Sequence, residues 1–346
     1  MVINMINLTK APLLADAKKA RHKPNIILQI LIFFAVFISS NIITGLIIGI
    51  PMAATMLKSI DASLIAGADA RQAANYAMES ISKMPEWLMV LMLFATAATT
   101  ICTVIYCRKI EGRSFSSMGM RKDGFLKKCG MGYIIGILMI SAAVGLSMVL
   151  GATRFGGFDS RVSWFYIGLF LLGFIVQGMS EEVLVRGYFM VSCANRVHIA
   201  LALGLSSVLF AALHLANNGI TALSFINLVL FGVFTGAYML RTNDLWGVCA
   251  IHASWNFVQG HIFGISVSGT VVSSSVFSTV LIEGKELVSG GSFGIEGGIC
   301  TSAVLIAATA LVMFLPQKKP YIYVASPEEE RPQGKKREPM NVYIEK

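Results

Sequence analysis

From Asn25 to Ile50 the chain runs for 26 residues without a charged side chain. At about 1.5 Å rise per residue, a helix of that length exceeds the roughly 30 Å hydrocarbon core of a bilayer. Inside a membrane every backbone polar group must be satisfied locally, so such a run is confined to helix. Comparable apolar stretches recur at Trp87–Cys107, Gly130–Leu150, Ser163–Asn195, His198–Leu215, Ala222–Leu240, Trp246–Ile262 and Gly298–Leu315. Charged residues make up only 14% of the chain and hydrophobic ones 55%, against about 25% charged in soluble domains. The fold class expected is all-α: a polytopic membrane protein with eight transmembrane helices.

The net charge of +9 has a topological reading. Basic residues concentrate in the N-terminal segment (Lys10, Lys18, Lys19, Arg21, Lys23) and between the second and third runs (Arg108, Lys109, Arg113, Arg121, Lys122, Lys127, Lys128), and recur at Lys318 and Lys319. By the positive-inside bias these segments are cytoplasmic. Residues 1–24 then form a cytoplasmic tail, 25–316 an eight-helix domain in the cell membrane, and 317–346 a charged, disordered cytoplasmic tail. The charge does not call for a nucleic acid. Six scattered cysteines without a CxxC pair indicate neither a disulfide frame nor a zinc knuckle. The first apolar run is too long for the core of a cleaved signal peptide. Between the runs, Asp61–Met84 is Ala-rich and helical in character, Gly151–Val162 reads as a short outer loop, and Phe263–Gly297 as a Ser/Gly/Val-rich outer loop with a β-hairpin around Val280–Val288. No internal repeat is visible, which disfavours an inverted-repeat transporter.

Polar residues inside the apolar runs locate the chemistry. Ser180-Glu181-Glu182-Val183-Leu184-Val185-Arg186 places three charges in an otherwise apolar helix, where ionisable residues are costly and mark function. Glu182 and Arg186 are four apart and can pair, whereas Glu181 is turned about 100° away and stays free for other work. His214 lies deep in the fifth run, and His252 and Asn256 share a face of the seventh. Read singly, His214 is as well explained as a hydrogen-bonded core residue, and His252 with Asn256 as interhelical glue. The combination is more informative. Glu181 and His214 lie 15 and 18 residues from Arg196, roughly 22–27 Å along their helices, while His252 is about 10 Å beyond Leu245. The levels agree if the fourth-to-fifth hairpin extends about a dozen ångströms into the cytoplasm, which puts the site in the inner leaflet. A glutamate in apolar surroundings suits a general base for water attacking a peptide carbonyl. A histidine can share that water or protonate the leaving amine, and Asn256 or His252 can stabilise the oxyanion.

At these residues the chain resembles the CAAX prenyl protease and bacteriocin-processing family of intramembrane endopeptidases. The family pattern EExxxR, FxxxH, HxxxN appears in order as Glu181-Glu182…Arg186, Phe210…His214 and His252…Asn256, within about Ser163–Gly260. The resemblance implies an eight-helix fold with catalytic residues on the fourth, fifth and seventh helices, and an endopeptidase acting near the termini of membrane-associated peptides or lipidated proteins. It implies that Glu181 and His214 activate water, that His252 and Asn256 hold the oxyanion, and that Glu182 and Arg186 support them. Cofactor need stays open between none and zinc, for which Glu181, His214 and His252 are the candidate ligands.

Other intramembrane proteases fit less well. Gly264-Ile265-Ser266-Val267 has no later histidine to serve as a base, and no aspartate lies within a span. The alternative from another class is a non-catalytic immunity factor, scaffold or carrier that uses the same polar pocket for binding.

Overall fold

A computed structural model describes residue 8 and residues 11–59, 84–160 and 162–314. Most of the Ala-rich stretch 61–84, and the whole charged segment 317–346, lie outside the described residues. The architecture is mostly helical: α1 (Pro12–Ala17), α2 (Ile26–Ser59), α3 (Glu86–Glu111), α4 (Phe125–Val149), α5 (Trp164–Cys193), α6 (Ile199–Ala212), α7 (Ala222–Thr242), α8 (Trp246–Phe257, continued by a π-helical turn Val258–Ile262), α9 (Glu286–Ser289) and α10 (Ile299–Phe314). Two strands, β1 (Thr153–Phe158) and β2 (Phe277–Leu281), complete it.

Among the described residues five helices, α2 to α5 and α7, are long and apolar enough to cross a membrane, so the chain is a multi-pass membrane protein. The other three expected crossings are shorter. Helix α6 has 14 residues, α10 has 16, and α8 has 12 before its π-helical turn. Helix α2 does not stop with the first apolar run at Ile50 but continues through Pro51 to Ser59. A single proline removes one ladder hydrogen bond, and apolar residues on both sides carry the helix through it.

Helix α8 is clasped between α4 and α5, and small residues make that possible. A Cβ on Gly136 would run into the Ile251 carbonyl and the Ser254 hydroxyl, and one on Gly132 into the backbone of Gly247. On the α5 side, a Cβ on Gly178 would stand 2.9 Å from the Ala253 nitrogen. Close backbone approach at glycine is how membrane helices pack tightly. It brings His252 and Asn256 against the acidic stretch of α5.

The lower part of α5 departs from regular α geometry. Val183–Met190 is π-helical, and every residue from Val183 to Cys193 is buried. The wider ring turns carbonyls outward, and Arg113 collects two of them, donating to Gly187 O at 2.9 Å and Tyr188 O at 3.2 Å. Arg113 also reaches Ser192 at 2.7 Å and pairs with buried Glu111. The segment expected as an N-terminal tail packs here too. Leu13 and Ala17 are fully buried, Leu13 N–H donates to Asn243 Oδ1 at 2.8 Å, and Asp16 pairs with Arg121 at 2.9 Å.

Residues 264–298 fold over the opposite ends of α6, α7 and α8. The Glu296 carboxylate accepts from Trp255 Nε1 at 3.1 Å and from the Ser268 backbone N–H at 2.7 Å. Asn227 on α7 donates to Glu296 O at 2.7 Å, and Asn217 donates to Ser268 O at 2.8 Å. The β-hairpin expected around Val280–Val288 is absent. Instead β2 pairs antiparallel with β1, Val280 opposite Arg154, and Glu286–Ser289 is a helical turn. The partner strand is distant in sequence, and Phe155 and Phe158 hold it through Phe277. The outer loop expected at Gly151–Val162 is accordingly a strand over half of its length, Thr153–Phe158.

Candidate active site

Three elements converge on one carboxylate. Glu181 and Glu182 end the regular α-helical part of α5. One residue apart, they point to different partners, as the helical rotation requires. Glu182 is fully buried and Glu181 is 26% exposed.

Glu182 faces inward. Its Oε1 accepts from Arg186 Nη1 at 3.2 Å and lies 2.8 Å from His252 Nδ1. A carboxylate can only accept, so the His252 Nδ1 nitrogen carries the hydrogen of that bond. This fixes the ring and turns Nε2 towards Glu181 Oε2, 3.8 Å away. The Arg186 guanidinium also lies over the Phe210 ring, 4.4 Å from its centre, a cation–π contact suited to a buried charge.

His214 arrives from the other side. It was expected within a span, but α6 ends at Ala212 and His214 occupies the turn just beyond. Its Nδ1 lies 2.9 Å from the Phe210 carbonyl. That carbonyl belongs to the last turn of α6, where carbonyls lack helical partners. His214 therefore caps its own helix through Nδ1–H and leaves Nε2 facing Glu181 Oε2 at 3.9 Å. Both imidazoles thus spend the Nδ1 hydrogen on a fixed acceptor and present Nε2 to the same carboxylate oxygen. Glu181 Oε2 is buried and has no hydrogen-bond partner among the described residues. The distances of 3.8 and 3.9 Å exceed direct hydrogen bonds, a spacing that one water bridges.

Asn256 is buried one turn beyond His252 on α8. Its amide does not touch Glu181 directly. Asn256 Nδ2 donates to Gln177 Oε1 at 3.0 Å, and Gln177 Nε2 donates to Glu181 Oε1 at 2.5 Å. The structure thus brings Glu181, Glu182, Arg186, His214 and His252 together directly, and Asn256 through Gln177. Gln177 was missed in the sequence, although a glutamine one turn before Glu181 in an apolar run was a usable signal. Phe231, edge-on to His252 at 5.1 Å and to Trp255 at 5.6 Å, was also missed. An aromatic in an apolar helix carries no such signal.

The three candidate metal ligands, Glu181, His214 and His252, are widely spaced. Donors on a tetrahedral zinc, at roughly 2.0–2.2 Å from the ion, stand about 3.4 Å from one another. Glu181 Oε2 is further than that from both Nε2 atoms, and among the described residues no group of His, Cys, Asp and Glu is drawn together to hold a metal ion. As they stand, the residues do not form a zinc cage.

The stretch holding all these groups is similar to a known protein family. Residues 163–258 match the family model of the Rce1-like type II CAAX prenyl endopeptidases. The match begins just before α5 and ends just after Asn256, so it contains every residue of the site. It agrees with the resemblance carried by the three motifs and supports a CAAX-type protease in a multi-pass membrane protein. No curated protein and no solved structure matches the chain.

Proposed function

We infer that the protein is an intramembrane endopeptidase that hydrolyses a peptide bond near the terminus of a membrane-associated peptide or lipidated protein, using water activated by Glu181. The observation that carries this reading is Glu181 Oε2 itself: buried, without a hydrogen-bond partner among the described residues, and within water-bridging reach of Nε2 on both His214 and His252.

In this mechanism a water donates one hydrogen to Glu181 Oε2 and the other to His214 Nε2. As its oxygen attacks the carbonyl carbon, its proton passes to Glu181. The new oxyanion is met by the Asn256 amide, and by His252 when its Nε2 carries a proton. Glu181 then returns the proton to the departing amine, the C–N bond breaks, and the carboxylate is restored. Glu182 and Arg186 hold His252 in place. Every step is carried by side chains of this chain.

The same reading places the protein in the cell membrane with eight crossings and both ends cytoplasmic. It is supported by five full-length apolar helices among the described residues, three shorter ones (α6, α8 and α10), and the basic residues at the α1 and α3–α4 side. Residues 25–316 then form one transmembrane domain.

The experiment is cleavage of a farnesylated peptide ending in Cys-aliphatic-aliphatic-X by the protein in liposomes. Wild type is expected to cleave it, and Glu181→Gln to lose about 10²–10⁴-fold. Cleavage by Glu181→Gln at the wild-type rate would end the proposal. A binding protein using the same pocket would retain the peptide without cutting it.

A further inference from the structure

Gln177 lies one turn before Glu181 on α5 and touches both ends of the proposed machinery. Its Nε2–H donates to Glu181 Oε1, and its Oε1 accepts from Asn256 Nδ2. The three groups form an ordered chain. An ionised carboxylate only accepts, so Gln177 must turn its NH2 to Glu181. Its carbonyl is then left facing α8. A carbonyl also only accepts, so Asn256 must turn its nitrogen, and not its oxygen, to this side. The charge on Glu181 thereby sets the orientation of two amides in succession. One hydrogen of the Asn256 NH2 is used on Gln177, and the second stays available. At the other end, the bond occupies Glu181 Oε1 and leaves Oε2 as the oxygen facing the two imidazoles.

We propose that Gln177 is a positioning residue that couples the general base to the oxyanion donor: it reserves Glu181 Oε2 for the water and holds the Asn256 amide nitrogen-first. This rests on the peptidase reading given above. The link persists through turnover. When the water's proton moves to Oε2, Oε1 becomes the carbonyl oxygen of a neutral carboxyl and still accepts from Gln177. The Asn256 amide therefore keeps its orientation while the oxyanion exists. When the proton passes on to the amine, the starting state returns with no rotation of either amide.

The bland counterpart is that Gln177 merely glues α5 to α8, as polar side chains do between membrane helices. The two roles differ in kinetics. Glue affects folding, whereas positioning lowers kcat and makes Gln177 and Asn256 act as one unit.

The test uses the full chain in phosphatidylcholine liposomes and an internally quenched farnesylated peptide ending in Cys-aliphatic-aliphatic-X. The variants are Gln177→Met, Gln177→Glu, Asn256→Ala and the Gln177→Met/Asn256→Ala double variant, with thermal unfolding in detergent recorded for each. Gln177→Met is expected to lower kcat about 10–100-fold with KM changed less than about threefold. The double variant should fall within about threefold of Asn256→Ala alone, since groups acting as a unit are non-additive. Gln177→Glu keeps an acceptor for Asn256, and hence the helix contact, but sets a second carboxyl against Glu181. Its kcat should also drop while its unfolding stays near wild type. Wild-type kcat in Gln177→Glu, or losses that multiply fully in the double variant, would overturn the proposal. If Gln177→Met does not fold, the near-isosteric Gln177→Glu decides alone. The two readings fail separately. If wild type does not cleave, or Glu181→Gln cleaves normally, the peptidase reading falls and takes this one with it. If those controls hold and the Gln177 outcomes do not, only this inference is lost.

Discussion

A single oxygen of Glu182 serves two partners, His252 Nδ1 at 2.8 Å and Arg186 Nη1 at 3.2 Å, with all three side chains buried. The carboxylate therefore orients the imidazole and neutralises the guanidinium together. Glu182→Ala leaves Arg186 charged and unpaired in an apolar site, which costs about 3–5 kcal/mol, so the variant should fail to accumulate as folded protein in detergent. Glu182→Gln keeps the volume and one acceptor. It should fold, yet lose about 100-fold in kcat because a neutral amide oxygen shared with Arg186 holds the His252 ring less firmly than the carboxylate does. Replacing both Glu182 and Arg186 by methionine removes the uncompensated charge. That double variant should recover folding, read by size-exclusion and thermal unfolding, without recovering cleavage.

Asn256→Ala removes an amide that can donate to the oxyanion. Loss of one such donor costs about 10²–10³-fold in kcat, with a smaller effect on KM. Asn256→Asp is expected to do at least as badly, since an ionised aspartate presents only acceptors to both the oxyanion and Gln177 Oε1. Steady-state kinetics on the farnesylated peptide distinguish these outcomes. Comparable kcat for Asn256→Asp and wild type would remove Asn256 from the oxyanion role.

Much of the site was legible in the sequence, because charge inside an apolar helix has few explanations. Glu182 and Arg186 pair as their spacing of four predicts, and Glu181 points elsewhere, as one residue of helical rotation demands. The setting of His214 was not legible. Hydropathy carries the apolar run past Ala212, but the helix ends there, and the histidine gains its orientation from capping the Phe210 carbonyl. Gln177 escaped notice because its role depends on Asn256, 79 residues later, and no local pattern records that meeting. The β1–β2 ribbon was hidden for the same reason. Thr153–Phe158 and Phe277–Leu281 are short, and each becomes a strand only by meeting the other. Buried packing of α1 was hidden by its flanking lysines, which read as a solvated tail although Leu13 and Ala17 face the interior.

Metal dependence can be settled on the purified protein. Glu181 Oε2 stands 3.8–3.9 Å from the imidazole nitrogens, wider than a zinc cage of about 3.4 Å between donors. Cleavage is accordingly expected to survive prolonged dialysis against EDTA or 1,10-phenanthroline, and metal content by mass spectrometry should be well below one ion per chain. Loss of activity on chelation with recovery on added zinc would show that the three side chains close around a metal.

The tether at Glu296 gives a prediction away from the chemistry. Its carboxylate joins Trp255 on α8 to Ser268, and its backbone carbonyl accepts from Asn227 on α7. Glu296→Ala removes the first link and leaves a buried donor on Trp255 and a half-buried one on Ser268 without their acceptor, at about 1–3 kcal/mol for the buried Trp255 group. Limited proteolysis should then cut within 264–298 at protease concentrations that leave wild type intact. Cleavage of the peptide should fall too, because Trp255 precedes Asn256 and packs on Phe231, which borders His252. Unchanged proteolysis would mean that the segment is held without the Glu296 carboxylate, by bonds such as those from Asn217 and Asn227.

The clasp around α8 can be broken with one methyl-bearing side chain. Gly136 faces the Ile251 carbonyl and the Ser254 hydroxyl so closely that any Cβ must push the helices apart, whereas Gly145, nine residues further along α4, has nothing within 4 Å of its would-be Cβ. Overpacking of this kind costs about 1–3 kcal/mol or more. Gly136→Val should lower the unfolding midpoint in detergent by several degrees and, by displacing His252 from Glu181, reduce kcat about 100-fold. Gly145→Val makes the same chemical change on the same helix without a clash, so its midpoint and its kcat should stay near wild type. Equal effects of the two substitutions would mean that helix propensity matters here, and that the approach of α4 to α8 does not hold the site together.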